Sequence, residues 1–254
     1  MTVTDAPDES PAPGVGRRAR NRVERERAYL DAALEIAGRD GLRHVTMARL
    51  AAEVDAAVGT VYTYFPSKGA LVAELQREAI ERLTASFHLV RDRSDAVLAG
   101  WDDPMAVSVA RLAVFGHFWV ATVDTFPQEA AFLHALISES EQMVPPEELY
   151  RVLPAAMALL GEARAAVAAA GALGAIHLDD PMDLVVRWAA ALTGALLASN
   201  LAPLNPTAFD GRRLARHLQH DLLAGWGAPD HLVRAAEAHV EALRAAAPLA
   251  PPLP

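Results

Sequence analysis

The chain has no cysteine in its 254 residues. That excludes disulfide staples and thiolate-based zinc sites, and it suits a reducing compartment. Aromatic residues are scarce, at 6%. β-Branched runs are few, and no stretch alternates apolar and polar residues with the period of two that a half-buried strand requires. No glycine-rich phosphate loop is present, because Gly59 stands alone. The segment Met1 to Gly16 is acidic and proline-rich, without the basic start and apolar centre of a secretory signal.

What remains is rich in alanine and leucine, both strong helix formers. With 52% hydrophobic and 22% charged residues, a sizeable buried core is easily supplied, as one large domain or two modest ones. An all-α fold follows. The uncharged run Trp188 to Phe209 has about the length needed to cross a bilayer. It is interrupted by Asn200, Pro203, Asn205 and Pro206, so it reads as a buried helix ending near Asn200, with no membrane partner.

The net charge of -9 argues against a nucleic-acid partner until its distribution is considered. Met1–Gly16 carries -3, Arg17–Lys68 carries +3 and Gly69–Pro254 carries -9. A basic block on an acidic body is the expected signature of a DNA-binding headpiece. The expected organisation is a disordered tail (1–16), a headpiece (17–68), a larger helical body (69–247) and a frayed end (248–254). Arg17, Arg18 and Arg20 open the basic block and read as an arm lying on phosphates or in a minor groove, with a solvated helix start as the alternative.

Helical spacing predicts a first helix over about 23–38, with Leu30, Ala33 and Leu34 on one face and Gly41 just past its end. Thr46 is placed to cap a second helix over 47–54, and a third runs over 57–64 until Pro66. Ser67 is placed to cap a long fourth helix, over 70–90. Further helices are expected over 104–125, 127–141, 146–170, 181–200, 210–225 and 229–246, with Pro154 kinking or dividing its segment.

Two short helices joined by a brief turn form a helix-turn-helix. The second closes on Gly59-Thr60-Val61-Tyr62-Thr63-Tyr64-Phe65-Pro66-Ser67-Lys68. A recognition helix enters the major groove by its N-terminal end. Gly59 there lets the backbone approach DNA, Thr60 offers a hydroxyl to phosphate, and Tyr62 and Tyr64 combine an apolar ring with a polar tip. Lys68 adds a positive charge. Val61 and Phe65 read as core.

On these residues, with Leu30, Ala33, Leu34, Gly41, Thr46, Leu50, Ala51, Ala70 and Leu71, the stretch 25–75 resembles the N-terminal domain of the TetR/AcrR family of bacterial transcriptional regulators. The resemblance covers about a fifth of the chain. It implies phosphate contacts from most of these positions, with Thr46 and Arg49 clamping the backbone and Ala57 and Val58 nearest to bases. The chain departs from the family's pattern at Asp55, where glycine is usual, at Ala57, where serine is common, and at Val58, where a polar or basic residue is common. Asp55 must then visit the left-handed region or cap the next helix.

The resemblance further implies a cytoplasmic homodimeric repressor that leaves a palindromic operator when a small, largely apolar molecule binds its body. The dimer seam would be Ala189, Leu192, Ala195, Leu196, Leu218 and Leu222. The same residues could equally form internal core. The pocket would lie in the most aromatic region, at Phe115, His117, Phe118, Trp119, Phe126 and Trp188, with Asp124 a further polar handle. No cofactor, metal site or catalytic constellation is expected. His217 and His220 share a helix face but lack an evident third ligand. The competing reading is a helical small-molecule-binding or enzymatic protein with a non-functional headpiece.

Overall fold

The computed structural model describes residues 13–138 and 145–253. Ten α-helices account for most of them, and no strand occurs among the described residues. In chain order these are α1 (Pro13–Asp40), α2 (Met47–Glu53), α3 (Val58–Tyr64), α4 (Lys68–Leu98) and α5 (Pro104–Thr125). They are followed by α6 (Pro127–Ser138), α7 (Leu149–Ala172), α8 (Pro181–Leu197), α9 (Gly211–Gly225) and α10 (Asp230–Ala246).

Side-chain caps set many of the starts. Ser67 accepts from the Ala70 amide at 2.9 Å, Asp103 from Met105 at 2.9 Å, and Asp210 from Arg213 at 3.0 Å. Asp180 accepts from both Met182 and Asp183 at the head of α8. Each bond satisfies a backbone donor that the helix itself leaves open. Pro104 and Pro181 occupy the first helical turn, where their missing N–H costs nothing.

The helices α1 to α3 form the headpiece around Tyr29, Leu34, Leu50, Val61 and Phe65, all buried. Helix α4 leaves the headpiece through Leu71 and Leu75 and runs on into the body, so one continuous apolar core joins the two. Helix α5 is the body's central member. It packs against α4, α7, α9 and α10, and α8 lies on α7 and α9.

Helix α4 runs on to Leu98, past the expected end near 90, and three further features differ from expectation. Helix α1 begins at Pro13, so the first arginines sit on a helix, and Pro13–Gly16 are not part of a disordered tail; residues 1–12 lie outside the described set. Residues 248–253 are not frayed. Leu249 and Ala250 are buried, Ser86 Oγ donates to the Pro251 carbonyl at 2.7 Å, and Arg93 donates to the Pro248 carbonyl at 3.0 Å. Helix α7 continues unbroken through Pro154, which lies near its exposed first turns.

Three helical segments are long and apolar enough to cross a membrane by composition: Pro104–Thr125, Pro146–Ala172 and Pro181–Leu201. The first is 72% buried among its neighbours. The other two leave apolar side chains exposed, including Tyr150, Leu153 and Met157 on α7 and Val186 on α8.

Candidate nucleic-acid interface and ligand cavity

The turn between α2 and α3 determines how the recognition helix is presented. Asp55 has φ 48°, the one positive φ of a non-glycine among the described residues. The Ala56 amide donates to the Ala51 carbonyl at 2.8 Å and the Asp55 amide to Ala52 at 3.4 Å. These two bonds make the left-handed C-terminal motif that closes α2 and redirects the chain within three residues. The aspartate therefore takes the backbone role that glycine would fill more easily.

Helix α3 buries Val61 and Phe65 in the headpiece, as expected, and turns its other side outward. Ala57, Val58, Gly59 and Tyr62 are exposed, and the Tyr62 side of the helix is unobstructed. Space around Gly59 is open, with nothing within 4 Å of where a Cβ would stand. Thr60 is half-buried. Tyr64 is also half-buried. Its ring centroid lies 5.2 Å from that of buried Tyr29, and the Arg22 guanidinium sits over it at 5.7 Å. The position of Tyr64 is thus fixed by packing, and Arg22 brings a cation to the same face.

Thr46 caps α2, its hydroxyl oxygen accepting from the Arg49 amide at 3.2 Å, and it remains exposed. The Arg49 guanidinium is held by Asp40, which also pairs with Arg39 at 2.8 Å. Arg39, followed by Arg49, holds the Asp40 carboxyl below its ordinary range. Arg49 is therefore already engaged by a carboxylate before any DNA arrives. Lys68 opens α4 beside the end of α3. Arg17 and Arg20 are exposed on the overhanging start of α1, whereas the Arg18 side chain lies outside the described residues.

In the body, a cavity of about 370 Å³ lies among α4, α5, α6, α7 and α8. Its walls include Gln76, Ile80 and Leu83 from α4, Phe115, Trp119 and Thr122 from α5, and Leu133 from α6. Leu159 and Leu160 from α7 and Val185, Trp188, Ala189 and Leu192 from α8 close it. This volume falls in the lower part of the range for sites that enclose small organic ligands. Trp188 is anchored behind the cavity. Its indole N–H donates to Gln219 Oε1 at 2.6 Å, and Gln219 Nε2 reaches the Leu112 carbonyl at 3.5 Å. The Trp119 indole nitrogen is buried without a hydrogen-bond partner among the described residues. An unsatisfied buried donor of this kind costs about 1–3 kcal/mol.

Of the residues named for a ligand pocket, Phe115, Trp119 and Trp188 line this cavity. His117, Phe118, Asp124 and Phe126 do not. His117 faces α10, donating from Nε2 to Glu237 at 2.9 Å, with Arg244 3.4 Å from its Nδ1. Burial raises the Glu237 carboxyl, but His117, His220 and Arg244 together bring it below its ordinary range. Phe118 is fully buried, 5.2 Å from Phe87 by ring centroids. Asp124 is exposed and pairs with Arg212 at 2.5 Å. Phe126 is buried beneath Arg82. The α4 contribution was absent from the sequence expectation. Gln76 and Ile80, a turn apart on an otherwise apolar helix side, were its available signal.

The expected dimer seam also divides. Leu192 and Leu196 are buried within the fold, and Ala195 and Leu222 pack partly against its core. Leu192 and Ala189 both belong to the cavity wall, Leu192 buried and Ala189 half-exposed. The side of α8 that faces outward carries Val186, Ala190, Gly194 and, beyond its end, Leu201. Ala189 and Leu218 are half-exposed. No cluster of three metal-ligating side chains occurs among the described residues, and His217 is simply exposed.

Residues 30–75 match the family model described as bacterial regulatory proteins, tetR family. The HTH-type transcriptional repressor KstR of Mycolicibacterium smegmatis is 44% identical over 62 residues, which are 24% of this chain and 30% of that protein. The match to this curated relative therefore spans under a third of its length. Among solved structures, a bacterial regulatory protein in the tetR family from Rhodococcus RHA1 superposes with a TM-score of 0.55 at 19% identity. It covers 81% of this chain and 98% of that one. NalD, the secondary repressor of the MexAB-OprM multidrug efflux pump in Pseudomonas aeruginosa, gives 0.52 at 20% identity, covering 81% and 97%. At these identities the likeness establishes a shared fold.

Proposed function

We propose that this protein, whose residues 30–75 match the model of the tetR family of bacterial regulatory proteins, is a DNA-binding transcriptional regulator. The observation that carries the reading is the outward face of α3. Ala57, Val58, Gly59 and Tyr62 stand clear of the fold, flanked by Thr46, Tyr64 and Lys68. Val58 supplies an apolar contact suited to a thymine methyl, and the surrounding hydroxyls and cations suit phosphates. The exposed Arg17 and Arg20 on the α1 overhang extend the basic surface.

The protein acts as a cytoplasmic homodimer in this reading. One recognition helix reads few base pairs, and two-fold pairing places two of them about 34–36 Å apart on a palindrome. The outward side of α8 carries Val186, Ala190 and Gly194 beside the exposed ion pair of Asp183 and Arg187 in its first turns. Covering it by a second copy accounts for apolar surface that otherwise resembles a membrane-spanning segment.

The cavity is the effector site. Its walls come from α4, which runs directly from the headpiece, and from α8, which belongs to the proposed dimer surface. A small, largely apolar molecule that fits the cavity better at one headpiece spacing than another shifts the DNA-binding equilibrium. A repressor released by its ligand is the form of regulation this favours.

The test is fluorescence-anisotropy titration of the full chain against fragments of its source genome at several salt concentrations. A regulator selects a discrete palindrome with nanomolar-range affinity over random DNA, and Tyr62→Phe weakens it. Equal affinity for every fragment would identify the protein as a helical binding protein or enzyme with an inert headpiece.

A further inference from the structure

The cavity's polar inventory is short enough to specify the kind of molecule it takes. Among the described residues, no charged side chain lines it. The charged residues directly next to wall positions are already paired: Arg77 with Glu74 and Glu81, Arg82 with Glu129, Glu148 with Arg151 and Arg187 with Asp183. An ionic ligand would enter without a counter-ion, and burying an unpaired charge is strongly unfavourable. The aromatic walls offer no cation box either. Phe115 and Trp188 lie against each other at 5.3 Å between centroids, and Trp188 lies against Trp226 at 5.6 Å.

Three lining side chains carry polar atoms besides the Trp188 N–H, which Gln219 already occupies. The Thr122 hydroxyl donates to the Trp119 carbonyl at 2.7 Å, which leaves only its lone pairs. The Trp119 indole nitrogen is shut off from solvent. Gln76 is different. It is half-buried on α4, one turn before Ile80, on the face that lines the cavity. Its amide presents both donors and an acceptor. The walls opposite in character, Val185, Leu192, Leu159 and Leu160, are wholly aliphatic.

Resting on the effector reading above, we propose that the cavity binds an uncharged amphiphile whose alcohol, amide or carbonyl end is hydrogen-bonded by Gln76 and whose apolar body lies against the α7 and α8 walls. Gln76 is then the specificity-determining residue. Because it belongs to α4, recognition of the polar end acts on the same helix that leaves the headpiece.

The experiment uses the full chain and the neutral fluorophore N-phenyl-1-naphthylamine, displaced by decan-1-ol, decanamide, decanoate at pH 8 and decyltrimethylammonium. The two neutral competitors displace the probe at least tenfold more effectively than either ion. Gln76→Leu reduces decanol and decanamide affinity roughly 3- to 10-fold, the worth of one hydrogen bond, while probe affinity stays within twofold. Gln76→Glu, a second variant with nearly the same shape, reverses the order by favouring decyltrimethylammonium. Ions that compete as well as decanol, a probe that does not bind, or two variants with unchanged competitor rankings would each overturn the proposal. Operator release by the same compounds is measured separately. Selective displacement without release would contradict the effector role and leave the cavity assignment standing, and release by ions alone would do the reverse.

Discussion

The indole N–H of Trp188 on α8 donates to the side-chain oxygen of Gln219 on α9 at 2.6 Å, and both residues are fully buried. This bond fixes one wall of the cavity. It is possible because α5 carries Gly116 opposite, where any Cβ would fall inside the Gln219 carboxamide. Gly116→Ala therefore destabilises the fold by about 1–3 kcal/mol through overpacking. Gln219→Leu costs a similar amount, on the order of 1–3 kcal/mol, by leaving the Trp188 donor unpaired. The two positions are coupled, because Gln219→Ala vacates the space that a Gly116 Cβ would enter. In urea denaturation, the pair Gly116→Ala with Gln219→Ala is less destabilised than the sum of the single variants. Strict additivity would show that the close approach of α5 to Gln219 is not a constraint.

Asp55 supplies a second test. A left-handed backbone is tolerated by aspartate but is easier for glycine. Asp55→Gly should stabilise the protein by up to about 1 kcal/mol, and Asp55→Val should destabilise it by at least about 1 kcal/mol. A valine variant with unchanged melting temperature would mean that the turn does not hold this conformation.

Arg49 is restrained by Asp40, which lies beside the proposed DNA face. Asp40→Asn frees Arg49, leaves Arg39 paired only with Glu53 at 3.5 Å, and removes a negative charge from that neighbourhood. DNA affinity should rise a few-fold, and the dependence of log affinity on log salt should steepen by up to about 0.9 for each further phosphate that the freed arginine neutralises. Weaker binding would show instead that Asp40 positions Arg49 on the duplex.

Three carboxyls also make stability depend on pH. Asp40 is held low by Arg39, Asp180 by the amides of Asp183 and Met182, and Asp210 by the Arg213 amide. Each native value lies below that of the unfolded chain, about 3.9. Their contribution is accordingly present above that pH and is lost as pH falls through the depressed native values. The melting temperature should decline below about pH 4, and Asp180→Asn should flatten part of that decline. An unchanged profile in this variant would contradict the capping role.

The headpiece was legible in the sequence because several independent signals coincide there. Thr46 and Ser67 cap where spacing placed them, Gly41 takes a positive φ past the end of α1, and Asp55 is left-handed in the turn. The body was legible only as helices. Helix α5 is buried on nearly every side from Val109 to Phe118, so its pattern carries no direction. Nothing in the sequence distinguishes Phe115, which meets the cavity, from Phe118, which meets Phe87. The same limit left Leu192 and Leu196 open between seam and core in the sequence. An alanine-rich helix has two sides of similar apolarity, and burial selects the leucine side while Val186, Ala190 and Gly194 face out. The start of α1 was placed too late, near Val23, because arginine and glutamate form helix well with no core face to mark it.

The most direct measurement is selection from random-sequence duplex DNA by the full chain, followed by anisotropy titration of wild type, Tyr62→Phe and Tyr64→Phe on the selected site. The account predicts a palindrome with half-sites about one DNA turn apart, bound in the nanomolar range. Tyr62→Phe should weaken it several-fold, with the melting temperature unchanged because this side chain is exposed. Enrichment of no sequence, or equal affinity of all three proteins for selected and random DNA, would contradict it.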